Sequence, residues 1–144
     1  PILVTDDRAC GNVSAQWEHH LAGRGPAREP FLLRRDLEVA TFASAFFSEG
    51  RRAGTVAEAL AVMTRRGGGA RASAEREALA AWLNFAAGGV LWDEPLRDGM
   101  PVSGALQVID GVLLDATASD ASLRAAEQLA RSINTLHAGG PACE

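Results

Sequence analysis

Along most of the chain apolar residues recur at helical spacing, and glycine or proline interrupts the pattern between segments. The cleanest stripe is Leu123, Ala126, Leu129, Ala130, Ile133 and Leu136. It predicts an amphipathic helix capped by Ser119 or Asp120, running to about His137 and ended by Gly139-Gly140-Pro141. A second helix follows Ser103 to about Ala116, with Leu106, Ile109, Val112 and Leu113 facing inward. A third, about Ala74–Ala87, places Leu79, Trp82, Leu83 and Ala86 on one face, with Ser73 as its cap and Gly88-Gly89 as its stop. Thr55-Val56-Ala57-Glu58 has the form of a capping box, so a helix carrying Leu60 and Met63 should run to about Arg66 and stop at Gly67-Gly68-Gly69.

Upstream, Leu37, Ala40, Ala43 (or Ser44) and Phe47 predict a helix over about Asp36–Phe47, with Asp36 as N-cap and Glu49-Gly50 as its end. Residues 10–30 are rich in glycine and proline and leave room only for a short helix around Ala15–Leu21. Ile2–Thr5 is the one β-prone run, and residues 90–101 read as a structured loop. The pattern predicts an all-α fold: a compact bundle of four to five helices in one domain over residues 10–144, preceded by an irregular extension at 1–9.

The 144 residues and 47% apolar content suit a single core. The net charge of −4 supplies no electrostatic reason for a nucleic-acid or anionic-membrane partner. All 14 basic residues are Arg, a composition expected of a GC-rich bacterial genome, and the absence of Lys removes Schiff-base chemistry. No apolar run approaches the roughly 18 residues of a membrane span. Because the chain begins at Pro1, removal of a leader or trimming is expected.

Candidate chemistry is sparse. Neighbouring His19 and His20 point about 100° apart on a helix and would rarely share a metal. A site of His20, His137 and carboxylates such as Asp6, Asp7 or Asp93 would require convergence in space. No H-E-x-x-H, C-x-x-C, G-x-S-x-G or phosphate-binding glycine motif occurs. Asp93, Glu94 and Asp98 read as solvated loop carboxylates rather than an acid/base set. The pairs Arg34-Arg35, Arg51-Arg52 and Arg65-Arg66 read as solvated helix ends. Asn12-Val13-Ser14 matches a glycosylation sequon that matters only in a eukaryotic secretory route. Trp17, a large aromatic in an irregular segment, is expected to plug the bundle, and Asn84, inside an apolar helix face, needs buried partners.

Cys10 and Cys143 stand near opposite ends of the chain. A disulfide between them would close a loop worth about 4–5 kcal/mol in unfolded-state entropy, and would imply export. Two free thiols in a cytosolic protein are the alternative, and a thiol–imidazole pair of Cys10 with His19 or His20 excludes the disulfide.

Cys10, Trp17 and His20 also reproduce the C-x(6)-W-x-x-H spacing of the GYWKNH-type domains of exported bacterial and archaeal proteins. SAQWEHH stands where that family has GYWKNH, keeping Trp17 and His20. ALAVMTRRGGGAR resembles the family's helix and glycine-containing turn. ALAAWLNFAAGGV is similar to its LIAAKLNVANGA segment through Leu83, Asn84, Ala86 and Gly88, and LRAAEQLARSINTLHAGGPACE resembles its last helix and terminal Cys. The resemblance spans about residues 10–144 and implies a secreted or cell-surface helical module with no established catalytic activity.

The expected function is therefore a non-enzymatic extracellular structural or protein-interaction module, without cofactor. Trp17, His20 and Asn84 would form a structural cluster and Cys10–Cys143 would lock it. A self-assembling surface-polymer subunit using Pro1–Thr5 as a donated strand is one alternative. A metal-binding or hydrolytic domain centred on His20 is the other.

Overall fold

The computed structural model describes residues 12–24 and 28–137, so Cys10, Cys143 and Pro1–Thr5 lie outside the described residues. Within them the chain forms seven α-helices: α1 (Ser14–Ala22), α2 (Pro30–Ala43), α3 (Ala45–Glu49), α4 (Val56–Thr64), α5 (Gly69–Ala86), α6 (Val102–Leu114) and α7 (Asp120–Asn134). The described residues contain no strand, only an isolated bridge between Pro95 and Pro101 in the 90–101 loop. None of their helices is long and apolar enough to cross a membrane.

The all-helical class agrees with the sequence pattern, whereas the count exceeds the four to five helices expected. The short α1 is fully formed, and Ser44 splits the segment after residue 30 in two. Ser44 adopts an extended backbone, ends α2 and caps α3 by accepting the Phe47 amide at 3.1 Å. The expected start at Asp36 is corrected as well. Pro30 opens α2 with its fixed φ, Glu29 accepts the Phe31 amide, and Asp36 lies buried in mid-helix. Inside the bundle, Arg28 compensates that carboxylate through a short bond from its Nε.

The capping box at Thr55 is present in both directions, with Thr55 Oγ1 accepting from Glu58 N at 3.1 Å and Glu58 Oε1 accepting from Thr55 N at 3.2 Å. Gly67–Gly69 does more than stop α4. Gly67 takes φ +80° and Gly69 φ +65°, and α5 begins at Gly69 with Gly68 as N-cap, so Ser73 is a helix residue and not a cap. At the other end Gly88, φ +82°, closes α5, with the Gly89 amide bonded back to Asn84 O at 2.8 Å.

Helix α5 is the axis of the bundle. It packs most extensively on α7 and also meets α1, α2, α4 and α6. Twelve of its 18 residues are buried, among them Ala70, Ala72, Ala74, Ala78, Ala80 and Ala81. A stripe facing one neighbour would leave its other sides polar; alanine on several sides lets helices approach all round. The larger side chains Leu79, Trp82 and Leu83 complete one core with Trp17, Leu37, Met63, Leu106, Ile109 and Ile133.

Candidate functional site

Asn84, fully buried on α5, is the centre of a polar network inside this apolar core. Its Oδ1 accepts two donors, the backbone N–H of Asn12 at 2.8 Å and the indole Nε1–H of Trp17 at 3.0 Å. Its Nδ2 donates to Asn12 O at 2.7 Å and to Asn134 Oδ1 at 2.9 Å. One amide thus uses both of its donors and both acceptor positions, the maximum an asparagine side chain offers. The pair of bonds to the Asn12 backbone copies the pairing of a strand edge and fixes the entry to α1.

The network continues through α7. Asn134 Nδ2 donates to Glu77 O and to Glu77 Oε1, each at 3.1 Å. The other Glu77 oxygen accepts the Ser14 hydroxyl at 2.7 Å, which returns the chain of bonds to the start of α1. Glu77 is seven residues, nearly two turns, before Asn84 on α5, so Asn134 bridges two levels of the axis.

His20 adjoins this network without touching Asn84. Its ring stands edge-on to Trp17 with centroids 5.4 Å apart. Its Nδ1 accepts the Arg28 backbone N–H at 2.9 Å, which places the proton of the neutral ring on Nε2. Nε2 faces the Asn12 side-chain amide at 3.4 Å, a hydrogen bond when that amide presents its oxygen. Burial lowers the His20 pKa from its ordinary 6.5; the charges of Arg28 and His19 push the same way and Asp36 opposes. Protonation would also set an Nδ1–H donor against the Arg28 donor.

The structure therefore brings Trp17 and Asn84 into direct contact and seats His20 beside them, while Cys10 and Cys143 lie outside the described residues. His137 is far from His20 in role: it pairs with Glu94 at the end of α7. The loop carboxylates also brace turns, Glu94 Oε1 accepting Leu91 N and Asp98 Oδ1 accepting Met100 N, both at 2.9 Å. Among the described residues no three His, Cys, Asp or Glu side chains converge as a metal would require.

Sequence reasoning missed Asn12, Ser14, Glu77 and Asn134. The available signal was Asn134, a polar residue directly after Ile133 in the α7 stripe, which pairs in kind with Asn84. It also missed two buried carboxylates. Asp110 accepts Trp82 Nε1–H at 3.0 Å and the Ser44 hydroxyl at 3.0 and 3.1 Å. Burial raises its pKa above the ordinary 3.8, although bonds from Trp82, Ser44 and the Phe46 and Ala45 amides pull it down. Glu75 receives Arg51 at 2.9 Å, with Arg65 at 3.7 Å and Arg71 at 3.9 Å. Every buried side-chain nitrogen and oxygen of the described residues has a hydrogen-bond partner.

The chain matches no protein-family model, no curated protein and no solved structure.

Proposed function

We propose that the chain is a non-enzymatic extracellular structural or protein-interaction module whose two ends are joined by a Cys10–Cys143 disulfide. The observation that carries this reading is the saturation of Asn84. The polar residues most open to a chemical role, Trp17, Asn84, Asn134 and Glu77, direct their bonds at one another and at backbone. They hold elements together and present no free group to a substrate.

The same amide supports the disulfide. Asn84 Nδ2 contacts Asn12 O at 2.7 Å and Asn134 Oδ1 at 2.9 Å, so positions near both ends meet at one atom. Cys10 is two residues before Asn12, and Cys143 is six after His137. Six extended residues span up to about 20 Å. The His20-centred metal or hydrolytic alternative gains nothing from the geometry, since both ring nitrogens already face internal partners. The surface-polymer alternative depends on Pro1–Thr5, outside the described residues.

The test is made on protein recovered from its source cells. Antibody against the folded domain should label intact cells or the medium, and alkylation without reductant should modify neither cysteine. Labelling only after lysis, with both cysteines alkylated, would overturn the reading.

A further inference from the structure

A cavity of about 290 Å³ lies where the α4–α5 turn meets the side of α7. Arg65, Arg66, Arg76 and Arg124 line it together with Ser73 and the glycine turn, and no carboxylate does. Arg65 and Arg66 stand at the end of α4 and Arg76 on α5, within twelve residues of one another, while Arg124 is brought to them from α7 by the fold.

Several arginines elsewhere are paired with carboxylates, although Arg34, Arg52 and Arg97 are not among the described residues. Arg51 reaches Glu75, Arg131 reaches Glu127 and Arg24 reaches Glu18. Here Arg65 has one distant partner, Glu75 at 3.7 Å, while Arg66, Arg76 and Arg124 have no carboxylate within ion-pair distance among the described residues. Gathering like charges around one hollow costs energy that salt only partly screens, and a bound polyanion reverses that cost. The turn is built to the same end. A Cβ at Gly68 would fall 2.4 Å from Ala72 Cβ and 2.9 Å from Arg65 Nε, so glycine is what lets the backbone pack against Arg65. Arg76 Nη2 donates to Ser73 Oγ at 3.4 Å, which keeps that guanidinium over the wall of the cavity. Helix α5 starts there without a side-chain cap, so its field adds to that of the arginines.

We propose that this cavity binds the phosphoryl group of a phosphate monoester. Planar guanidinium forks match tetrahedral oxyanions by paired N–H bonds, and four of them favour a dianion over the single charge of a sulfate ester. The cavity suits the charged head of a ligand, with the ester substituent left outside it. This inference rests on the arginines and the glycine turn and is independent of the extracellular reading.

The experiment is amide NMR of the full chain at pH 7.5, titrated with methyl phosphate and with methyl sulfate at constant ionic strength. Saturable shifts confined to residues 65–76 and the start of α7 are expected, with methyl phosphate about tenfold or more tighter than methyl sulfate. Arg76→Gln combined with Arg124→Gln should weaken methyl phosphate by about tenfold or more, whereas Arg97→Gln, on the 90–101 loop, should not. Both substitutions are on exposed or half-exposed side chains, and the unchanged amide spectrum of the core verifies folding. Equal binding of the two esters, shifts that never saturate, or full affinity in the double variant would overturn the proposal.

Discussion

Trp17 and Asn84, 67 residues apart in the chain, are joined by an indole N–H donated to the amide oxygen at 3.0 Å. Neither side chain is exposed. The contact couples the packing of a large aromatic to the satisfaction of a buried amide, so the two kinds of loss can be separated by mutation. Trp17→Ala removes the core filler and should cost roughly 3–5 kcal/mol. Asn84→Ala strands the Trp17 and Asn12 donors and should cost about 1–3 kcal/mol. Asn84→Asp should cost more than Asn84→Ala, because it turns a carboxylate oxygen toward Asn12 O and Asn134 Oδ1. Urea denaturation of the three variants gives the order directly; an Asn84→Asp protein as stable as the wild type would contradict the network.

His20 makes stability depend on pH. Its folded-state pKa is depressed below 6.5, so the unfolded chain takes up a proton first as the pH falls. The contribution is complete above 6.5 and is lost as the pH drops from there to the lower folded-state value. His20→Gln should abolish that part of the slope. Denaturation midpoints measured in steps through this window, for wild type and variant, check the sign.

Asp110 acts in the opposite sense at lower pH. Its raised pKa means that the native state binds a proton before the unfolded state does, so the linked contribution is complete below 3.8 and is lost as the pH rises through the folded-state value. Asp110→Ala should cost about 2–4 kcal/mol through the Ser44 and Trp82 bonds it breaks. The gap between wild type and variant should widen as the pH falls toward 3.8, a trend that equilibrium unfolding at fixed pH values would display.

Around Glu75 the expected response is to salt. Arg51, Arg65 and Arg71 surround one carboxylate, with side chains 43%, 41% and 27% exposed. Because water screens these pairs, Glu75→Gln should cost only about 1–2 kcal/mol. Added sodium chloride should recover part of the loss by screening three arginines left facing one another. Melting temperatures of wild type and variant at low and high salt give the comparison.

The elements legible in the sequence are those whose causes are local. The Thr55–Glu58 box needs four consecutive residues, and the α7 stripe buries Leu123, Ala126, Ala130 and Ile133 as its spacing requires. Asp36 misled because an acid before an apolar run reads as a cap; its true partner, Arg28, is set by the turn into α2 and not by helical periodicity. Gly67–Gly69 misled because one glycine run both ends α4 and begins α5. Asn84 announced itself as a polar residue in an apolar face. Its partners did not, since Asn12 and Asn134 reach it only through the tertiary fold.

That reach has a consequence for how the protein is made. Asn84 takes one partner 72 residues upstream and another 50 residues downstream. A ribosome delivers Asn12 first, Asn84 long afterwards and Asn134 close to the end of the described chain. Until the last helix emerges, the Asn84 Nδ2–H that Asn134 will accept must keep water as its partner, and the face of α5 that α7 covers stays open. The interior is therefore sealed in a late step that joins beginning, middle and end at once. A fragment stopped before residue 134 should remain exchange-labile along α5 however well its own helices form.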